Sequence, residues 1–442
     1  MHPVAVPLFS CSSRALSGWL VSSVLWIGLA HSSAAGLLAQ ANADALSREM
    51  LQAIKEDFRS YVDPAFDPDA YFGQIEQQVL SAPSPSQAFG LLAQALLNLK
   101  DPHTFLLPPI RAEVRYGWRM VVAGDTCYVV AVDPGSDAAK QGLAPGDAIL
   151  ALGRYKPTRE NLWQLYYVYY FLQPQQSMRV GVRKPDGSTQ SLNIQAVLGK
   201  APENVPASGG GFLSMLSAAA QERRTWEPVV RELDGGAVLW RLPSLLVNKN
   251  HVRETAKTLE GKKSLILDLR GNAGEDVETA QAIAGLLLDK GAKLGELKER
   301  KRSQPLAVIP SSVAFSGEVV VVVDSQTAGA AELLARAVQI HKRGKVVGDV
   351  TAGSVRRSRV VRHTIGGEQG FTMMVVFSDA ELVPADGQKL EGVGVKPDEP
   401  AILAAEDLAA GRDSVLAKAA SLVGAKLKAE EASALAAPRG DD

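Results

Sequence analysis

The stretch VVVVVDSQTAGAAELLARAVQIHKRG, residues 319–344, reads as a buried strand, a tight turn and an amphipathic helix. A helix N-terminus offers free N–H groups and positive potential, so such a junction suits the display of a catalytic side chain. The turn here is Thr327-Ala328-Gly329-Ala330-Ala331 and holds no obvious nucleophile. A second unit of the same kind lies upstream. SLILDLR, residues 264–270, runs into Gly271-Asn272-Ala273-Gly274 and then a helix over 276–288, with Val277, Ala280, Ile283, Ala284 and Leu287 on one face. GAVLWRLPS precedes it, and KVVGDV follows the opening stretch. Strands alternating with helices predict right-handed crossovers and a largely parallel sheet.

Outward from this α/β region the pattern changes. ENVPASGGGFLSM, residues 203–215, is a Gly-rich break and marks a domain boundary. Before it, residues 115–197 read as short strands near 121–122, 127–132, 148–152, 178–182 and 191–194, punctuated by Pro134-Gly135, Pro145-Gly146 and Asp186-Gly187. One helix, TRENLWQLYYVYYF at 158–171, interrupts them. Residues 44–100 read as three helices, with Ser84 or Ser86 placed to cap the third. After Asp398 the chain is rich in Ala, Glu and Lys and reads as helical, ending in APRGDD.

The 442 residues suffice for two or three domains. A net charge of −1 favours neither nucleic acid nor an anionic membrane as partner. At the N-terminus Arg14 precedes an apolar run at 16–30, then small residues that include Ala39-Gln40-Ala41, the pattern of a secretory leader. The expected location is periplasmic or extracellular after cleavage, or membrane-anchored if the leader is kept. Cys11 would leave with the leader, and Cys127, in TCYVVAV, reads as a small core residue. No H-E-x-x-H or paired Cys/His spacing is present, so neither a metal nor a cofactor is expected.

VVAVDPGSDAAKQGLAPGDAILALG, residues 129–153, closely resembles a PDZ domain through Pro134-Gly135-Ser136, Ala138-Ala139, Gly142-Leu143 and Pro145-Gly146-Asp147. The resemblance implies binding of peptide C-termini by strand addition, with loop N–H groups receiving the carboxylate. The matching loop is Tyr116-Gly117-Trp118-Arg119, followed by Met120. In the nearby aromatic helix, Leu162, Leu165, Tyr166 and Tyr169 can face a core. Trp163, Tyr167 and Tyr170 then form a second stripe, a candidate peptide groove or docking surface.

A broader resemblance spans residues 45–430. DLRGNAG at 268–274, TAGAAE at 327–332, GDVTAG at 348–353, DGQKLEGVGVKPD at 386–398 and the early DPHT at 101–104 resemble the C-terminal processing peptidases, or tail-specific proteases. The family implies a crotonase-like α/β core behind N-terminal helices and a PDZ domain, and a serine nucleophile activated by a buried lysine. The nucleophile position is Gly329 here, the lysine position is Ser354, and the supporting glutamine position is Ser358. Ile340 stands where the family often has Asp, and Glu275 replaces a glycine beside the oxyanion-hole candidate Gly274. Ser325 and Ser354 are the fallback hydroxyls, and His103 a fallback base.

The expected organisation is a multidomain α+β chain. It comprises a leader at 1–41, helices at 44–112, a PDZ domain at 113–198, a linker at 199–235, the α/β core at 236–404 and a helical tail at 405–442. The expected function is an exported peptidase homologue without its catalytic dyad that binds peptide tails as a scaffold or adaptor. The alternative is a serine endopeptidase using a different Ser. Expected partners are protein or peptide C-termini, with homo-oligomers or association with active family members as further classes. The Arg356, Arg357, Arg359, Arg362 and His363 cluster reads as a solvated face or one that meets an acidic partner.

Overall fold

The computed structural model describes residues 33–108, 112–200, 208–209, 227–274, 276–367 and 370–436. Residues 1–32 of the expected leader, most of the expected linker, Glu275 and the tail at 437–442 lie outside the described residues.

The chain divides into two units. The first contains the chain through Arg59, Phe66–Asp101 and His363–Thr372. Its helices are Ser33–Asp57, Pro68–Leu80 and Pro85–Asn98. Asp67 caps the second through the N–H groups of Asp69 and Ala70, and Ser84 caps the third through Gln87. Each is followed by a proline at the first helical position, where a missing N–H is harmless. Met50, Ile54, Phe58, Phe72, Leu92 and Leu96 are fully buried, and Phe58 meets Phe72 edge-on at 5.3 Å. The segment 363–372 is held here by His363 Nε2, 2.7 Å from Asp57, and by the Gly366 N–H donating to Glu49.

The second unit contains Ser60–Ala65, Pro102–Arg362 and the chain from Met373 onward. Its central sheet runs Val229–Leu233, Ala237–Arg241, Ser264–Asp268, Glu318–Val323, Lys345–Gly348 and Glu399–Pro400. The first pair is antiparallel and the others are parallel. Both faces are covered. Val319, Val321 and Val323 pack with Ile283, Leu287, Leu334 and Val338 of helices Val277–Leu287 and Gly329–Ile340. Val320 and Val322 pack with Val415, Leu416 and Ala419 of helix Ser414–Leu422. A strand buried on two sides has no polar face, which explains the unbroken valine run.

Residues 118–195 form a five-stranded antiparallel sheet: Trp118–Ala123, Thr126–Val132, Ala148–Leu152, Ser177–Arg183 and Thr189–Gln195, in chain order. The helix expected over 158–171 is shorter. It is an α-helix at Leu162–Tyr166 that widens into a π-helix at Tyr167–Leu172, where the Gln173 N–H reaches the Val168 carbonyl at 2.8 Å. Cys127 is buried in this sheet, and burial pushes its thiol up to about 12.

Candidate active site

The two strand–turn–helix junctions are knitted together by their own polar groups. Asp324 directly follows strand Glu318–Val323 and accepts the N–H groups of Gly271, Gln326 and Thr327 at 2.9–3.0 Å. The Thr327 hydroxyl donates to the Leu269 carbonyl at 2.9 Å. Asn272 donates to the Leu242 carbonyl and accepts the Gly274 N–H at 2.8 Å. The Ala328 N–H returns to the Asn272 carbonyl at 2.8 Å.

Gly329 opens helix Gly329–Ile340 with φ +56°, a left-handed conformation that suits glycine. Its N–H donates to the Ser354 carbonyl at 2.8 Å, and the next, Ala330, donates to the Gly274 carbonyl at 3.1 Å. A β-carbon on Gly329 would lie 2.8 Å from the Gly274 carbonyl oxygen and 3.0 Å from that of Ala273. Position 329, which resembles the family's nucleophile position, therefore lacks a side chain and also the room for one.

The loop 351–355 faces this helix. Glu332, fully buried, accepts the N–H groups of Gly353 at 2.8 Å and Ser354 at 2.9 Å, together with the Thr351 hydroxyl. Burial outweighs those donors and pushes the Glu332 carboxyl up to about 7. On the other side of the loop Glu391 accepts the Val355 N–H at 2.8 Å.

Ser354 Oγ lies 2.7 Å from His103 Nε2. Ser358 Oγ lies 3.4 Å from Nδ1 of the same ring, a weaker contact. All three side chains are at least nine-tenths buried. His103 is delivered by the turn before strand Phe105–Leu107, which pairs antiparallel with Phe371–Pro384. The positions that resemble the family's lysine and glutamine thus carry hydroxyls that bracket one imidazole. A Ser–His contact of this length is the first requirement of an activated nucleophile. Acyl transfer also needs donors for the oxyanion. The N–H groups of Gly274, Gly329, Ala330, Gly353 and Ser354 all go to internal acceptors instead.

Residues 239–401 match the family model for peptidase family S41. Through this segment the chain is similar to peptidase family S41. It is 26% identical over 381 residues to carboxyl-terminal-processing peptidase 2, chloroplastic, of Arabidopsis thaliana, covering 79% of this chain and 68% of that one. It is 26% identical over 368 residues to C-terminal processing peptidase, chloroplastic, of Tetradesmus obliquus, covering 79% and 75%. The fold is similar to that of mature CPAF, with a TM-score of 0.63 at 16% identity, covering 84% of this chain and 94% of that one.

The other candidate site residues fall as follows. The Ser325 hydroxyl donates to the Val122 carbonyl, so it bonds the five-stranded sheet and not a base. Lys345 pairs with Glu399 at 2.8 Å at the start of its strand, and Lys342 lies just beyond the C-terminal end of the helix that Gly329 begins. The expected groove stripe is not on the surface. Tyr167 is fully buried with its hydroxyl 2.6 Å from the Leu106 carbonyl, and Trp163 is 9% exposed. Tyr170 packs on Tyr116 at 5.3 Å, and the Tyr116 hydroxyl donates to the Gln175 carbonyl at 3.0 Å. Within the π-helix Tyr167 is buried, and Tyr169, Tyr170 and Phe171 are half-buried. Gly117, at φ +73°, backs onto Ser136, and Trp118 and Met120 are buried while Arg119 is half-buried.

Strand Trp118–Ala123 pairs with Thr126–Val132 and, among the described residues, carries no strand on its other edge. The Tyr166 hydroxyl meets the Met120 backbone. Arg159 and Asp349, neither foreseen, join this sheet to the loop before Ser354. Arg159 donates to Asp349 and to the Val350 carbonyl, each at 2.8 Å, and the Gly124 N–H donates to Asp349 at 2.8 Å. The basic cluster is not a bare solvated face either. Arg357 pairs with Asp379 at 2.7 Å and Glu299 at 3.1 Å, and Arg356 lies 3.5 Å from Glu381.

Proposed function

We propose that this S41 homologue is a pseudopeptidase that binds peptide C-termini through a PDZ-like sheet at 118–195 and serves as a scaffold or adaptor. The observation that carries this reading is Gly329. Its β-carbon space is filled by the Gly274 carbonyl and its N–H is spent on Ser354. The edge of Trp118–Ala123 that carries no further strand among the described residues supports tail binding away from the Val122 carbonyl and the Met120 backbone, which the Ser325 and Tyr166 hydroxyls occupy, since a peptide strand adds to such an edge through main-chain hydrogen bonds. Export, with the leader at 1–41 removed, belongs to the same proposal.

The test is fluorescence anisotropy with a peptide library bearing free C-terminal carboxylates, alongside the same peptides amidated. Selective binding of the free acids without cleavage is expected. Turnover that disappears in Ser354→Ala would overturn the pseudopeptidase reading, and equal binding of amidated peptides would overturn the tail-binding one.

A second reading rests on the 2.7 Å contact between Ser354 and His103, which suits a serine hydrolase of altered layout. A fluorophosphonate probe distinguishes the two. Covalent labelling at Ser354 that is lost in His103→Ala favours the hydrolase, and an unlabelled Ser354 favours the scaffold.

A further inference from the structure

Strand Trp118–Ala123 closes one side of its sheet, and successive residues in a strand turn their N–H and C=O groups to opposite edges. The Gly117 carbonyl accepts the Asp133 N–H at 2.8 Å, and the turn Gly124-Asp125 closes on the pair Ala123 and Thr126. The odd-numbered residues therefore bond the neighbouring strand. Trp118, Met120 and Val122 face the edge that carries no strand among the described residues. Side chains already engage that edge. The Tyr166 hydroxyl meets the Met120 backbone, and the Ser325 hydroxyl donates to the Val122 carbonyl. Gly124, just past the strand, donates to Asp349 at 2.8 Å and accepts from Arg159 at 3.2 Å. Tyr166 and Arg159 come from the sheet's own segment, but Ser325 and Asp349 lie in turns after strands Glu318–Val323 and Lys345–Gly348 of the central sheet.

We propose that Ser325 and Asp349 act as a built-in ligand of this edge, so that a peptide tail pairs along Met120 and Val122 only by displacing the core. With the core in place the tail has Trp118 to pair with, and the edge reads the end of the tail and not its length. The inference rests on the tail-binding reading above and specifies how much of a tail that site takes. Packing supports it from a second direction. A β-carbon on Gly146 would lie 2.5 Å from the Ala405 carbonyl oxygen, and one on Gly124 would lie 3.6 Å from Ile402, so the sheet also rests on the segment after strand Glu399–Pro400.

The size of the effect follows from exchange. A carbonyl that trades a hydroxyl for a peptide N–H gains little net, because one hydrogen bond replaces another. Each further tail residue therefore adds little affinity in the wild-type chain. Removing the Ser325 hydroxyl leaves the Val122 carbonyl for the tail to satisfy, so the same residues begin to contribute. The gain from one such bond is about two- to tenfold in Kd.

The experiment is calorimetric titration of the full chain with a free-acid library peptide of six residues and its truncations to the last four and the last two. Wild-type affinity should be nearly flat across the series. Ser325→Ala should tighten the longest peptide by that factor and leave the shortest unchanged, and Ser325→Thr, which keeps the hydroxyl, should match wild type. Tyr166→Phe should act in the same direction as Ser325→Ala, and carries the test if the latter does not fold. Binding that appears only in these hydroxyl-free variants also supports the proposal. A wild-type affinity that climbs steeply with length overturns it and leaves tail binding standing, as does an unchanged affinity for the longest peptide in both variants or an equal gain for the shortest. No binding of any library peptide by wild type or either variant overturns the tail-binding reading and this inference together.

Discussion

The carbonyl oxygen of Gly274 sits over the α-carbon of Gly329, 2.8 Å from where a β-carbon would be. Gly274 is itself wedged, since a β-carbon on it would collide with the Ala328 carbonyl. Restoring the family side chains therefore demands backbone movement. Gly329→Ser should cost about 2–4 kcal/mol from left-handed strain and overlap. Gly329→Ala should cost nearly as much, because the β-carbon makes the clash. Combining Gly329→Ser with Ser354→Lys should leave peptide turnover at background. Urea titration and a turnover assay check both expectations.

Arg159 and Asp349 bind the five-stranded sheet to the loop that leads to Ser354, with side chains 25% and 10% exposed. Asp349→Ala leaves the guanidinium with carbonyl acceptors only and the Gly124 N–H without its acceptor, a loss of about 2–4 kcal/mol. Arg159→Lys keeps the charge but not the fork that reaches both Asp349 and the Val350 carbonyl, so it should recover less than half of the loss in Arg159→Ala. A double-mutant cycle by chemical denaturation gives the coupling.

Arg270 is bidentate to Asp268 and also meets both oxygens of Asp413, which caps helix Ser414–Leu422. Burial opposes its charge, and the two aspartates outweigh burial and hold its pKa well above the ordinary value. Arg270→Met should cost about 3–5 kcal/mol, because two buried carboxylates lose their cation. The loss should appear first as faster hydrogen exchange in Ser414–Leu422.

The Trp240 indole N–H donates to His251 Nε2 at 3.1 Å, which requires a neutral ring. Burial holds the pKa of His251 below 6.5. A depressed histidine adds stability that is present above 6.5 and lost as pH falls through its folded value. The Tm should therefore decline below about pH 6.5, by an amount worth about 1 kcal/mol or less. Trp240 fluorescence should change over the same window, and His251→Gln should remove both effects.

The α/β core was largely legible because its signals are local. Valines buried on two faces and glycine-rich turns after strands announce themselves at short range. The positions 274, 329, 354 and 358 were legible as places in a motif. The contact between Ser354 and His103 was not, because 251 residues separate them and the turn that brings His103 in depends on pairing between Phe105 and Val376. The aromatic helix was misread for a related reason. Periodicity of 3.6 residues assigns Trp163, Tyr167 and Tyr170 to one exposed stripe, and the switch to π geometry at Tyr167 breaks that register.

The tip of the hairpin formed by strands Arg356–Ile365 and Phe371–Pro384 has a consequence for anyone dissecting the molecule. Residues 363–372 belong to the same unit as the N-terminal helices, with His363 bonded to Asp57 and Gly366 to Glu49. No single cut in the gene separates that unit from the rest. A fragment ending at Asp101 would lack one wall of its own unit, and a fragment starting at Pro102 would carry that wall with its partners removed. Deletion series should therefore be replaced by point changes at Asp57 and Glu49, which loosen the tip while leaving the chain continuous.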